Sequence, residues 1–263
     1  MYENYDLPLP DLNAYLDRIA IDAAAAPDPD FLKKLVFAHQ THIPFEDIDE
    51  WRFHKRIPLE IPFLFDKMVV RRRGGFCFEQ NLLFTRALKD LGFDAYTVFC
   101  RVLWYTDNDE IPPCTHCAVI VNFPEGPYLC DVGFGGPQPR SALPVYGGGI
   151  TEEPDAFWKI VPYDDQWFTL SRKGSEGSWK NVIQFSLFRQ TPQDFIPLCD
   201  FCAMPEDSFF RQNLLVNLRT ETGFRSISND VYSRQDGDSV STVVLGSWEE
   251  TLKTLREEFE IRV

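Results

Sequence analysis

Cys77 stands behind a glycine pair, in Arg72-Arg73-Gly74-Gly75-Phe76-Cys77-Phe78-Glu79-Gln80-Asn81, and opens an apolar-periodic segment. Downstream come Thr115-His116 and then Asp131-Val132-Gly133-Phe134-Gly135-Gly136. In chain order these supply a nucleophile, a base and an acid able to orient the base. The thiolate is the reactive form of cysteine, and a free thiol is mostly protonated at neutral pH. A helix starting at Cys77 offers free N–H groups and a partial positive charge that favour the anion. Gly74-Gly75 lets the backbone turn sharply, so its N–H groups are expected near the sulfur as donors to a tetrahedral oxyanion. The competing reading is a small buried core cysteine. The glycine pair and the downstream partners favour chemistry.

His116 heads the apolar strand Cys117-Ala118-Val119-Ile120-Val121-Asn122-Phe123, where its ring can project from the end of a sheet. His39 falls on a helical stripe and His42 and His54 in loops, so these three read as packing or surface. Asp131 lies in an apolar strand and needs a partner: the His116 imidazole, or N–H groups of the glycine turn that follows. A hairpin centred between Glu125 and Gly126 puts Asp131 opposite Ile120. Reaching His116 then requires a shifted register, a bulge or a diagonal contact. The cluster Gly133-Phe134-Gly135-Gly136 is a weak anion-binding signal, and no P-loop or dinucleotide fingerprint is present. Cys114-x-x-Cys117 and Cys199-x-x-Cys202 are too far apart for a zinc ribbon and read as buried thiols, so no metal is expected.

The elements that must position these residues fall into three runs. Asp11 is placed to cap a helix carrying Leu12, Tyr15, Leu16 and Ile19, and Asp28-Pro29 to start one carrying Phe31, Leu32, Leu35, Val36 and His39. Residues 41–60 read as loop, and a short helix is expected around 59–67. The Cys77 helix carries Phe84, Leu88 and Leu91, with Gly92 at C′. From residue 93 the pattern turns to strands at 95–103, 117–123, 128–132, 158–161, 167–171 and 182–188, with glycine-rich loops at 147–149 and 174–178. After about 194 it is mixed, with strands at 214–218 and 239–245 and a last helix capped by Ser247. The chain thus divides into a helical unit (1–92), a β unit read as a barrel or strongly curved antiparallel sheet (93–193), and an α/β unit (194–263).

Composition narrows the function classes. The chain has 263 residues, 44% of them apolar and 25% charged, which is ordinary for a globular protein with a large core. A net charge of −14 argues against nucleic acid and anionic membranes as partners. The short run Arg71-Arg72-Arg73 reads as partners for nearby carboxylates or attraction for an anionic ligand. No apolar run is long enough to span a bilayer, the first six residues lack a signal-peptide pattern, and seven irregularly spaced cysteines fit reduced thiols. A cytoplasmic protein is expected.

Taken together, the motifs around Cys77, His116 and Asp131 resemble those of the arylamine N-acetyltransferases. The likeness extends to Ile43-Pro44-Phe45-Glu46, to residues 63–73 and to 188–209, nearly the whole chain, and is strongest over 43–136. It implies an α+β fold: an N-terminal helical bundle, a central antiparallel β-barrel and a C-terminal α/β lid, with a transglutaminase- or cysteine-protease-like core. It implies a triad of Cys77, His116 and Asp131, and acetyl-CoA as donor with no permanently bound cofactor. Thr115, Gly133, Phe134 and Gly135 match positions that meet coenzyme A or line its cleft. Phe45, Phe78 and Phe134 match aromatic positions around the acceptor pocket, and Arg73 is expected to pair with Glu46. The chain departs from the family at Asp47, where asparagine is common, and over 198–205.

The reaction this implies is acetyl transfer from acetyl-CoA to an aromatic amine or hydrazine through an acyl-cysteine. An amide synthase or a thioester or amide hydrolase can use the same triad. A scaffold with a vestigial triad is the reading without catalysis.

Overall fold

The computed structural model describes residues 3–22, 25–106, 110–174 and 177–263. Met1 and Tyr2 of the N-terminal segment, and Ser175 and Glu176 of the second glycine-rich loop, lie outside them. The helices are α1 (Leu12–Arg18), α2 (Pro29–His42), α3 (Ile48–Phe53), α4 (Ile61–Phe65), α5 (Cys77–Asp90), α6 (Ile196–Ala203), α7 (Phe209–Gln212) and α8 (Trp248–Phe259). The strands are β1 (Phe45–Glu46), β2 (Asp94–Val102), β3 (Cys114–Phe123), β4 (Gly126–Cys130), β5 (Leu143–Pro144), β6 (Ile150–Glu153), β7 (Ala156–Pro162), β8 (Trp167–Lys173), β9 (Lys180–Ser186), β10 (Leu215–Arg219), β11 (Gly223–Ser228), β12 (Val231–Asp236) and β13 (Ser239–Val244).

Helix starts follow the caps. Asp11 accepts from the Ala14 N–H at 3.0 Å, Asp28 from Phe31 at 2.8 Å and Ser247 from Glu250 at 3.2 Å. Gly92, at φ +89°, ends α5 in the left-handed region. The expected loop over 41–60 contains α3. That helix has only Ile48 and Trp51 as an apolar stripe, and it buries Asp49 and Glu50 instead. A helix that turns charges inward has no hydrophobic period to read. After α4 the chain closes a π-helical turn, Asp66–Val70, which drives Lys67 into the interior.

Strands β5-β4-β3-β2-β9-β8-β7-β6 form an eight-stranded antiparallel sheet that is nearly closed into a barrel. Its β2 and β3 are covered on both faces. Ala95, Cys117, Val119 and Val121 pack on the helical bundle, while Tyr96, Val98, Cys100, Ala118 and Ile120 pack inside the curve with Trp158, Leu170 and Phe185. Burial on both faces is why β3 reads as a continuous apolar run. A second sheet, β1-β10-β11-β12-β13, is backed by α8 through Ile227, Leu255 and Phe259. Its edge strand β1 comes from the N-terminal third of the chain. No helix among the described residues is long and apolar enough to cross a membrane.

Candidate active site

The nucleophile loop is locked from behind. A Cβ on Gly74 would sit 2.0 Å from the Pro44 carbonyl oxygen, so only glycine fits that crossing. Gly75 N–H donates to the same oxygen at 3.3 Å, and Phe76 N–H donates to Glu79 Oε2 at 3.0 Å. The expectation that the glycine pair supplies oxyanion donors is corrected here for Gly75. The α5 geometry instead leaves over the first-turn N–H groups of Cys77 and Phe78.

Each polar residue after Cys77 reaches a different element. Glu79 accepts from Lys67 Nζ at 2.8 and 3.0 Å. Gln80 donates to the Pro44 carbonyl at 2.9 Å and meets His39 Nε2 at 2.6 Å, while His39 Nδ1 meets the Tyr15 hydroxyl at 2.8 Å. His39 is therefore packing, and burial pushes its pKa down to about 3. Asn81 donates to the Cys117 carbonyl at 2.8 Å and to Asp131 Oδ1 at 3.1 Å, and accepts from Val132 N–H at 3.1 Å. Behind the loop, Arg73 forks onto Glu46 at 2.9 and 3.0 Å, as the resemblance implied. Arg71 pairs with Asp66 and Arg72 with Glu260, so the basic run serves local carboxylates.

His116 and Asp131 meet, Nε2 to Oδ2, at 2.6 Å, both buried. Two backbone features allow it. The β3–β4 pairing sets Ile120 against Leu129 and Val119 against Cys130, two residues from the register expected for the hairpin. Asp131 therefore emerges just past the end of β4, near the level of Ala118. In the β2–β3 pairing Cys100 faces His116 but Arg101 faces Cys114, so Thr115 is an extra, bulged residue. A bulge re-aims neighbouring side chains. The two alternatives for Asp131 are both realised. One oxygen faces His116, and the other accepts from Gly133 N–H at 3.0 Å and from Asn81. From α2, Gln40 donates to the Asp131 backbone carbonyl at 2.9 Å.

A carboxylate only accepts, so His116 presents Nε2–H to Asp131 and keeps the lone pair on Nδ1. Cys77 Sγ points its S–H toward the Thr115 carbonyl oxygen, 4.0 Å away, one residue before His116. Burial pushes the Cys77 thiol well above its usual range, and the neighbouring thiols and Asp131 add to the push. A thiolate here therefore needs a cation close by. The side chain beside it able to become one is the His116 imidazole, already paired with Asp131.

The remaining expected positions lie around this centre. A Cβ on Gly133 would stand 3.0 Å from the Cys77 Cα, so the glycine turn packs directly on Cys77. Phe134 meets the His116 ring edge-on, 5.4 Å between centroids. The Phe45 ring lies against Gly135, where an added Cβ would come within 2.7 Å of it. Phe78 is fully buried against Phe76 and Phe195. Phe195 and Phe210, whose ring is 5.7 Å from that of Phe76, extend the aromatic wall and were not read from the sequence. Nor was a role for Asn81, although its place one helical turn after Cys77 is a usable signal. Among the described residues no group of three or more His, Cys, Asp or Glu is placed to hold a metal ion.

Comparison with known proteins identifies the family. Residues 28–263 match a family model described as N-acetyltransferase. The arylamine N-acetyltransferase of Escherichia coli (strain K12) is 31% identical over 207 residues, 79% of this chain and 72% of that protein. The structure of arylamine N-acetyltransferase from M. tuberculosis superposes with a TM-score of 0.89 at 31% identity, covering 96% of this chain and 94% of that one. That of the Mycobacterium marinum enzyme in complex with CoA gives 0.87 at 29% identity, covering 95% and 93%. With the family model spanning most of its length, the chain belongs to the arylamine N-acetyltransferase family.

Proposed function

We propose that the protein transfers an acetyl group from acetyl-CoA to an aromatic amine or hydrazine, with Cys77, His116 and Asp131 as the catalytic residues. The observation that carries this reading is the buried 2.6 Å contact between His116 and Asp131 at the bulge whose carbonyl faces the Cys77 sulfur. His116 Nδ1 takes the thiol proton, and the thiolate attacks the thioester carbonyl. The oxyanion is held by first-turn N–H groups of α5. The C–S bond to coenzyme A breaks, its sulfur takes the proton back from His116, and acetyl-Cys77 remains. The amine nitrogen then attacks the acetyl carbonyl and gives a proton to His116, and the Cys77 thiolate leaves an amide product. An aromatic amine is largely unprotonated at neutral pH and presents a flat ring to the phenylalanine wall.

The donor fits the same reading. The turn of Gly133, Phe134 and Gly135 packs against the nucleophile, and Thr115 borders it, so a thioester entering along that turn reaches the sulfur. The net charge of −14 gives nucleic acid no role. All seven cysteines are free, in keeping with the reducing cytoplasm.

Incubation with acetyl-CoA alone tests the proposal. An acetyl adduct on Cys77 by mass spectrometry, discharged on adding an aromatic hydrazine and absent in Cys77→Ser, is the expected result. CoA release equally fast without amine would instead mark a hydrolase.

A further inference from the structure

Cys202 has no part in the acyl transfer, yet it lies beside the nucleophile. It sits in the last turn of α6, buried, with its sulfur 3.8 Å from the Thr115 carbonyl oxygen. The Cys77 sulfur is 4.0 Å from that same oxygen. Two thiols from different elements thus converge on one atom. A third nearby thiol, Cys117, is turned away toward the Cys77 backbone carbonyl at 3.6 Å. Cys202 lies in 198–205, the stretch where the sequence departs from the pattern it resembles.

We propose that Cys202 is a resolving thiol, forming an intramolecular disulfide with Cys77 after peroxide oxidises the nucleophile. The inference rests on Cys77 being the reactive sulfur proposed above. Cys77 thiolate attacks one oxygen of hydrogen peroxide, the O–O bond breaks, and hydroxide leaves a sulfenic acid. The Cys202 sulfur then attacks the sulfenic sulfur. The S–S bond forms, the S–O bond breaks, and the departing hydroxide takes the Cys202 proton as water. Sulfur is oxidised and peroxide oxygen is reduced, with no other co-reactant. A site that takes a bulky thioester, as proposed above, admits peroxide. Bridging requires a side-chain rotation with a shift at the end of α6 to bring the sulfurs to bonding distance. Burial pushes the Cys202 thiol up to about 12, so its attack proceeds as its proton passes to the departing hydroxide. The disulfide protects Cys77 from irreversible oxidation.

The test compares wild type with Cys202→Ala and Cys202→Ser, both assayed first without oxidant. Each variant is expected to transfer acetyl as wild type does, and failure of wild type itself to form acetyl-Cys77 would sink the underlying reading instead. After a several-fold molar excess of hydrogen peroxide, wild type should lose two hydrogens and yield a Cys77–Cys202 cross-linked peptide. Dithiothreitol should return about nine tenths of its activity. In the variants Cys77 should gain two or three oxygens, with less than about a tenth of the activity recovered. Equal recovery in wild type and both variants overturns the proposal, as does a cross-link to Cys117 or oxygen addition to wild type without a cross-link.

Discussion

Asn81 is the residue on which the geometry of the triad turns. Its amide links α5 to the Cys117 carbonyl, the Asp131 carboxylate and the Val132 N–H, so the helix that starts at Cys77 and the Asp131 carboxylate share one brace. Asn81→Ala frees Asp131 to rotate and leaves His116 poorly aimed. The iodoacetamide reactivity of Cys77 at neutral pH should fall on the order of 100-fold. Its pH profile should move to alkaline values, because the thiol then ionises without its imidazolium; a loss confined to packing would leave the profile in place. A different residue bears on stability. Asp47 stands where the family often has asparagine. One of its oxygens accepts from Leu215 N–H at 2.8 Å, and the other is buried without a partner. Burial pushes its pKa well up, and the Glu46 charge adds to this. Its native pKa therefore exceeds its unfolded one. The favourable contribution is complete below the unfolded value and is lost as pH rises toward the native value. Asp47→Asn removes that loss, so its stabilising effect in urea melts should grow from pH 5 to pH 8 by about 1.4 kcal/mol per unit until the native pKa is passed. A candidate triad was recognisable in the sequence because chemistry needs particular residue types beside glycines. Its closure was not, because a two-residue register change and a bulge leave no compositional trace.

At the scale of elements, the link between α3, the π-helical turn and α5 is electrostatic. Glu46, Asp47, Asp49, Glu50 and Glu79 are buried around two buried cations, Lys67 and Arg73, and the exposed Lys55 reaches Asp49 at 3.5 Å. Lys67 Nζ stands 2.8 Å from Glu79, 3.2 Å from Asp49 and 3.8 Å from Glu46. Burial works against the Lys67 charge, but these carboxylates and Glu50 outweigh it and hold the ammonium above its usual range. Burial pushes Glu79 up as well, yet its two short contacts to one ammonium mark it as the ionised partner. Glu50 has neither oxygen partnered, and burial pushes its pKa well up. Lys67→Met leaves Glu79 and its neighbours without their cation and should cost about 3–5 kcal/mol in urea unfolding, with partial rescue by Glu79→Gln in the same chain. This cluster explains what the sequence hid. α1, α2, α5 and α8 follow apolar stripes, and three of them start at a side-chain cap. α3 is fixed by buried charge pairs that periodicity reads as loop. Strands β11 and β12 were missed for a related reason, since residues such as Arg225, Ser226, Ser233 and Arg234 leave them half-buried without a clear alternation.

At the scale of the whole molecule, three successive segments at 1–92, 93–193 and 194–263 describe the order of elements but not the way they depend on one another. Strand β1 is two residues long, too short to read from any pattern. It pairs Phe45 with Asn217 and Glu46 with Val216 of β10, and Phe45 also bridges to Gly75 in the nucleophile loop. The C-terminal sheet therefore continues, hydrogen bond by hydrogen bond, to the residues just before Cys77. Ile48 is buried among Val216, Ile227, Leu255 and Phe259, and Phe195 fills the space between Phe78 and Phe99. We propose that the third segment is part of one cooperative unit and not a separable lid. A chain ending at residue 193 exposes Ile48, Phe78 and Phe99 and leaves β1 with no sheet to join; each such side chain forfeits about 1.5–3 kcal/mol of burial, a large share of a typical domain's stability. That fragment should show no cooperative urea transition and should take no acetyl group on Cys77 from acetyl-CoA. A fragment that unfolds in one sharp step and still acquires the adduct would show instead that the nucleophile loop is held by the helical bundle and the barrel alone.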